Sequence, residues 1–274
     1  MPAETDNAPD PTTSLLAFFG SELLRVRTER GMSQEKLAKD AHTTQSMVSK
    51  VEAAQRVPSE ALARDFDAAL NTGGHFLRLY PLVIKYAYPS WFLPFIELER
   101  QAASMRVFES QIIPGLLQTE GYARAMLSAV RPDNLEDLVA ARMSRQEVFE
   151  RPVSPRMWFV MDEQTLRRPI GGPDVWREQL ESVLKASQEP RTVIQVVPRK
   201  VLAHPGLAGP FSVLGFEEGS DVMYVDGFFQ GRTALEASEV AAGAHSYDLL
   251  RAVALSPEES ADLIGDYMEG RKQP

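Results

Sequence analysis

The sequence predicts an all-α N-terminal domain followed by an α+β C-terminal domain. Three observations predict it. Up to about residue 75 the apolar residues recur at three- and four-residue spacing, the period of a helix face. Residues 80–94 are aromatic and broken by Pro81, Pro89 and Pro94, which marks a boundary. Beyond Pro155, short continuous apolar runs alternate with an amphipathic stretch, as strands and helices do.

Each element follows from its own residues. Residues 1–13, rich in Pro, Asp and Thr, have no apolar period and are expected to form a disordered tail. The first domain then covers 14–75, a linker 76–90 and the second domain 91–272. From Leu15 a helix carries Leu16, Phe19, Leu23, Val26 and Arg30 at helical spacing and stops at Gly31, a C-terminal cap. Two short helices start at Gln34 and Gln45. Pro58-Ser59 starts another that runs to Leu70 and closes at Asn71-Thr72-Gly73-Gly74. In the second domain, helices are expected over 95–109, 119–130 and 134–150, with Pro114-Gly115 breaking the first pair. RMWFVMD (156–162) reads as a strand, 173–186 as a helix with Trp176, Leu180, Val183 and Leu184 on one face, and TVIQVV (192–197) as a buried strand. Residues 211–216 and 222–225 flank a polar turn and form a hairpin. Ser256-Pro257-Glu258-Glu259 supplies an N-cap, a proline at the first helical position and a capping-box glutamate, so a last helix starts there. The chain has no internal repeat.

Composition narrows the function. With 274 residues and 44% apolar content there is enough material for two buried cores. No cysteine is present, so disulfides, thiolate metal sites and cysteine nucleophiles are all excluded, and a reducing, cytoplasmic setting is expected. The first twenty residues carry Glu4, Asp6 and Asp10 but no Lys or Arg, unlike a secretory leader. The longest uncharged run, 201–216 apart from its histidine, holds prolines and glycines and is too short to span a bilayer, so no membrane partner is expected. A net charge of −9 argues against general polyanion binding. Residues 1–79 hold nine basic and eleven acidic side chains, and the remainder twenty and twenty-seven. From Glu22 to Arg64 the balance turns to eight basic against six acidic, so any nucleic-acid contact is local.

The stretch GMSQEKLAKDAHTTQSMVSKVE (31–52) carries the sharpest chemistry. Ser33 and Thr44 are placed to cap the helices beginning at Gln34 and Gln45. Leu37, Ala38 and Ala41 lie inward on the first and Val48 and Val51 on the second, with Ala38 small where the helices cross. A short polar joint, 40–43, sets them at a steep angle. This is the pattern of a helix-turn-helix, whose second helix enters the DNA major groove. Gln34 is then expected to contact phosphate and brace Gln45. Thr44 caps the helix, Gln45, Ser46 and Ser49 face base edges, and Lys50 and Arg56 neutralise phosphates. The alternative is an ordinary helical bundle with polar surface glutamines.

Through SQEKLAKDAHTTQSMVSKVE and the following QRVPS, residues 15–72 resemble the λ-repressor-like (XRE-type) helix-turn-helix regulators. They depart from the pattern at His42 and Thr43, where that family has Gly and an apolar residue, and at Ala54, where it often has Gly. His tolerates the left-handed region better than most residues. The resemblance implies a transcriptional regulator.

A second resemblance covers about 90–270. PSWFLPFIELERQA, IIPGLLQTEGYARAM, DEQTLRRPIGGPDVWREQL, HPGLAGPFSVLGF and ALSPEESADLI are similar to the C-terminal domain of WhiJ-like regulators of actinomycetes; Trp176 and Phe228-Phe229-Gln230 depart from it. What it implies is transcriptional control with a small partner protein encoded nearby, in an antitoxin-like arrangement. The turns 114–121 and 204–210 are candidates to shape a pocket or interface, or merely to connect elements. Candidate partner or effector contacts are Trp91, Gln118, Arg167, Arg168 and His204, the arginines being alternatively a solvated basic pair. The four histidines lack metal-ligand spacing, and no nucleophile elbow, P-loop or dinucleotide fingerprint occurs, so no metal, cofactor or enzymatic activity is expected. The working expectation is a dimeric repressor on a pseudo-palindromic double-stranded operator, its second domain binding a partner or effector. The rival is a small-molecule sensor or a protein-only adaptor in an antitoxin-like pair.

Overall fold

The computed structural model describes residues 9–227 and 230–272. It divides into two compact units: residues up to Ser90 together with Leu127–Ser144, and Trp91–Met126 together with the residues from Arg145 onward. Most of the expected tail, and Phe228-Phe229, lie outside the described residues; at its end Thr13 N–H donates to Asp10 O at 3.1 Å in a turn.

The first unit is all helical. Its elements are α1 (Leu15–Glu29), α2 (Gln34–Asp40), α3 (Gln45–Glu52), α4 (Glu60–Leu70) and α5 (His75–Ala87). Ser14, Ser33, Thr44 and Ser59 cap the first four, each side-chain oxygen accepting a backbone N–H in the first turn. The linker expected at 76–90 is instead mostly α5. Its proline, Pro81, signals a break, but Phe76, Tyr80, Val83 and Ala87 share one face, and burying them outweighs one lost backbone bond. The core gathers Phe19, Leu23, Leu37, Val48, Val51, Phe66 and Phe76.

The second unit starts with α6 (Leu93–Gln101) and contains α7 (Glu120–Leu127) up to Met126. The helix expected over 95–109 ends at Gln101, and Ser104–Glu109 is strand β1, one of the two central strands. Both faces of this six-residue segment are covered, so it shows no clean alternation in sequence. The helix expected over 134–150 also divides. Leu135–Ser144 is α8, which belongs to the first unit, and 145–150 is a 3-10 turn of the second.

The remaining elements fall where the sequence put them: β2 (Arg156–Asp162), α9 (Pro173–Ala186), β3 (Thr192–Val197), and the hairpin β4 (Phe211–Gly215) with β5 (Val222–Val225). Then follow β6 (Arg232–Ala234), α10 (Ala237–Val253) and α11 (Pro257–Met268), the last starting with the Ser256–Glu259 capping box. The six strands form one mixed sheet in the order β3-β2-β1-β4-β5-β6, with β1, β2 and β3 parallel and the others antiparallel. The fold is therefore all-α followed by α+β, as expected. Side chains alternate across the sheet: Met157, Phe159 and Met161 join one core with α9 and α11, while Trp158 and Val160 face α10. The outer edge of β3 is closed, because Val196 N–H donates to Ser260 Oγ at 2.9 Å and Val196 O accepts from Leu255 N–H at 2.9 Å.

Candidate nucleic-acid interface

The turn between α2 and α3 is built by backbone chemistry. Ala41 ends α2, His42 takes the left-handed conformation (φ 52°), and the N–H groups of His42 and Thr43 return to Lys39 O and Ala38 O. This closes the helix's last carbonyls in a Schellman motif and redirects the chain. Ala54 (φ 56°) does the same after α3, its N–H and that of Gln55 returning to Val51 O and Lys50 O. Thus both positions where the sequence departs from glycine adopt the conformation that favours it.

Behind the turn lies an ion pair. Arg27 on α1 and Glu52 at the end of α3 are 2% and 4% exposed, and the fork is bidentate: Nε to Oε1 at 2.6 Å and Nη2 to Oε2 at 3.0 Å. Arg27 Nη1 also donates to Met32 O at 2.7 Å. Glu52 Oε2 accepts from Gln34 Nε2 at 2.8 Å, and Gln34 Oε1 accepts from Gln45 Nε2 at 3.2 Å. One connected chain therefore runs from the interior to the first residue of α3.

Close backbone packing sets the same geometry. A Cβ on Gly20 of α1 would lie 2.6 Å from Val51 O and 2.7 Å from Glu52 O, so only glycine lets α1 approach α3 this closely. Sequence reading missed Arg27, Glu52 and Gly20. The signals were present: opposite charges inside two apolar stripes, and a glycine in the middle of a helix.

With Met47, Val48 and Val51 buried, α3 turns Gln45 and Ser46 outward, and Ser49 and Lys50 are half-exposed. Thr44 caps the helix, accepting from Met47 N–H at 3.1 Å. Arg56 is half-buried in the loop after α3, its Nη1 donating to Gln55 O at 2.8 Å.

The loop after α3 and the start of α1 are tied to α8 within the same unit. Ser144 Oγ accepts from Val57 N–H at 2.7 Å, and Ser14 Oγ donates to Asp137 Oδ1 at 2.8 Å. Burial raises the Asp137 carboxyl above its ordinary range, against the lowering effect of the Ser14 bond.

A helix-turn-helix domain model matches residues 19–79. Residues 92–266, more than half the chain, match the model of a domain of unknown function (DUF5753). The chain belongs to the DUF5753 family. No curated protein and no solved structure matches it. In this DUF5753 protein the helix-turn-helix domain is that of a DNA-binding regulator.

The candidate contacts in the DUF5753 unit are dispersed over separate elements. Gln118 is 1% exposed, and its Nε2 donates to Ile113 O at 2.7 Å, so it braces a loop rather than facing a partner. The His204 side chain is 3% exposed, stacks edgewise on Phe108 and has Nε2 3.0 Å from Asp162 Oδ2, which places it inside the fold as well. Trp91 is exposed and packs edge-on against Phe92. Arg168 is exposed and Arg167 half-buried. Among the described residues no group of three or more His, Cys, Asp or Glu is placed to hold a metal, and no helix is long and apolar enough to cross a membrane.

Proposed function

We propose that the protein is a sequence-specific transcriptional regulator that reads DNA with α3 and acts by binding rather than by catalysis. The observation that carries this reading is the Arg27–Glu52–Gln34–Gln45 chain beneath an outward polar face. A glutamine recognises adenine by donating to N7 and accepting from N6. Gln45 uses one amide hydrogen on Gln34, which leaves its second hydrogen and its carbonyl oxygen for a base, in an orientation fixed from behind. Ser46 and Ser49 extend the reading surface, and Lys50 and Arg56 meet phosphates. The protein acts as a homodimer, a repressor that places two such helices in successive major grooves of a pseudo-palindromic operator. Its setting is the cytoplasm, at the nucleoid. The second unit governs affinity by binding a small partner protein or an effector.

The test starts from genome-wide mapping of bound sites, which supplies the operator. Gln45→Ala should then reduce discrimination between operator and random DNA by about 1–3 kcal/mol, whereas Arg56→Ala should weaken binding to all sequences and flatten its salt dependence. Equal losses on both DNAs for Gln45→Ala would remove base reading from the account.

A further inference from the structure

The second unit holds a cavity of about 540 Å³ at the end of the sheet where β2 and β3 begin. Its walls come from the 3-10 turns 115–117 and 145–150, the end of α9 and the turn entering β3. We propose that this cavity is a binding site for a small molecule with an apolar, ring-sized body and a single carboxylate.

The apolar wall is preformed. Leu116 and Leu117 present their side chains while their carbonyl oxygens are taken: Gln146 Nε2 donates to Leu116 O at 3.2 Å and to Gln118 O at 2.7 Å, and Gln179 Nε2 donates to Leu117 O at 2.7 Å. Gln179 Oε1 accepts from Thr119 N–H at 2.7 Å, and Gln118 Nε2 holds Ile113 O. Three amides thus satisfy the loop's backbone, and Leu116, Leu117 and Phe149 supply the hydrocarbon on this side of the cavity, with the Gln146 amide beside them, both of its hydrogens already given to the loop.

The end of α9 and the turn entering β3 carry the charge. Lys185 and Arg191 line the cavity, and among the described residues neither forms an ion pair. Glu189 also lines it, which leaves the three formal charges with a net +1. The end of α9 adds little opposing field, because Val183 O, Lys185 O and Ala186 O accept from Ser187, Gln188 and Glu189 N–H. Two cations with no ion pair among the described residues, at the rim of a cavity that also holds Leu116, Leu117 and Phe149, select an anion with an apolar body, and the volume fits a small ligand rather than a folded partner. This assignment concerns the second unit alone and does not depend on the DNA reading.

Calorimetric titration of the full chain with 2-naphthoate, 2-naphthol and 2-naphthylmethylammonium tests it. One naphthoate should bind per chain, at least tenfold more tightly than the alcohol, with the ammonium not binding. Lys185→Gln with Arg191→Gln, both exposed side chains that leave the core untouched, should bring naphthoate down to the affinity of the alcohol. Ala186→Phe, which fills the cavity, should abolish both. Failure of the native chain to bind naphthoate, equal affinity for acid and alcohol, or indifference of naphthoate to the double substitution would each overturn the assignment, and none of these outcomes requires the cavity-filling variant to fold.

Discussion

Two places in the molecule hold a surface rigid by different means. At the helix-turn-helix, a buried bidentate ion pair, Arg27–Glu52, orients Gln34 and through it Gln45. Around residues 113–119, three neutral amides, Gln118, Gln146 and Gln179, tie a loop through its own backbone. A charged brace fixes direction strongly, but removing either partner leaves an uncompensated charge in the interior. An amide brace fixes position less forcefully, and its loss exposes only unsatisfied backbone groups. The difference suits the tasks proposed for them: α3 would aim one side chain, whereas the loop would only keep a wall in place.

The largest effect is expected from Arg27→Met, which strands Glu52 and should destabilise the first unit by about 3–5 kcal/mol. The three tryptophans, Trp91, Trp158 and Trp176, all lie in the second unit. Urea unfolding followed by far-UV circular dichroism should therefore show an early helical transition, while tryptophan fluorescence keeps its midpoint. Adding Glu52→Leu should recover most of the stability, because a matched apolar pair replaces the charges. Gln34 would still lack its acceptor. The double variant should thus stay folded yet discriminate operators poorly, which separates aiming from holding. Recovery of both properties would show that the ion pair only holds.

Gln179→Leu comes next. It leaves Thr119 N–H and Leu117 O without partners at a site 0% exposed, at a cost of about 1–3 kcal/mol. Here the fluorescence midpoint should move and the helical transition of the first unit stay where it is in the native chain. A cost as large as that of Arg27→Met would erase the contrast between the two braces.

How much of this could be read from residues alone follows from the same contrast. The caps at Ser33, Thr44, Ser59 and Ser256 are local, a side-chain oxygen and an N–H three positions on, so the helix starts at Gln34, Gln45 and Pro257 were legible to the residue and that of α4, expected at Ser59 and found at Glu60, to within one. Strands β2 and β3 announced themselves as apolar runs between turn residues. Strand β1 did not, because Arg106 interrupts its apolar residues and its partners, β2 and β4, are remote in sequence. The attachment of α8 to the first unit was likewise hidden: Ser144 and Asp137 meet Val57 and Ser14, 87 and 123 positions away. At the interface the outward face of α3 was legible from its helical period. The brace behind it was not, since a Glu and an Arg 25 positions apart become a pair only once the helices cross.

The smallest predicted effect concerns the turns themselves. Four helices of the first unit end with a left-handed residue, but only the first uses glycine: Gly31, His42, Ala54 and Asn71 have φ of 64°, 52°, 56° and 50°. An L side chain in this region crowds its own carbonyl, and Asn and His relieve the strain better than Ala, whose methyl offers no compensating bond. Ala54→Gly should therefore stabilise the first unit by about 0.5–1 kcal/mol, after the greater chain entropy of glycine in the unfolded state is deducted. His42→Gly should give less. Both substitutions leave the Arg27–Glu52 brace in place, so the helical transition should shift upward while operator discrimination stays the same. If Ala54→Gly instead altered discrimination, the strain at the end of α3 would itself be part of how the recognition helix is aimed, and the ion pair would not be the only brace.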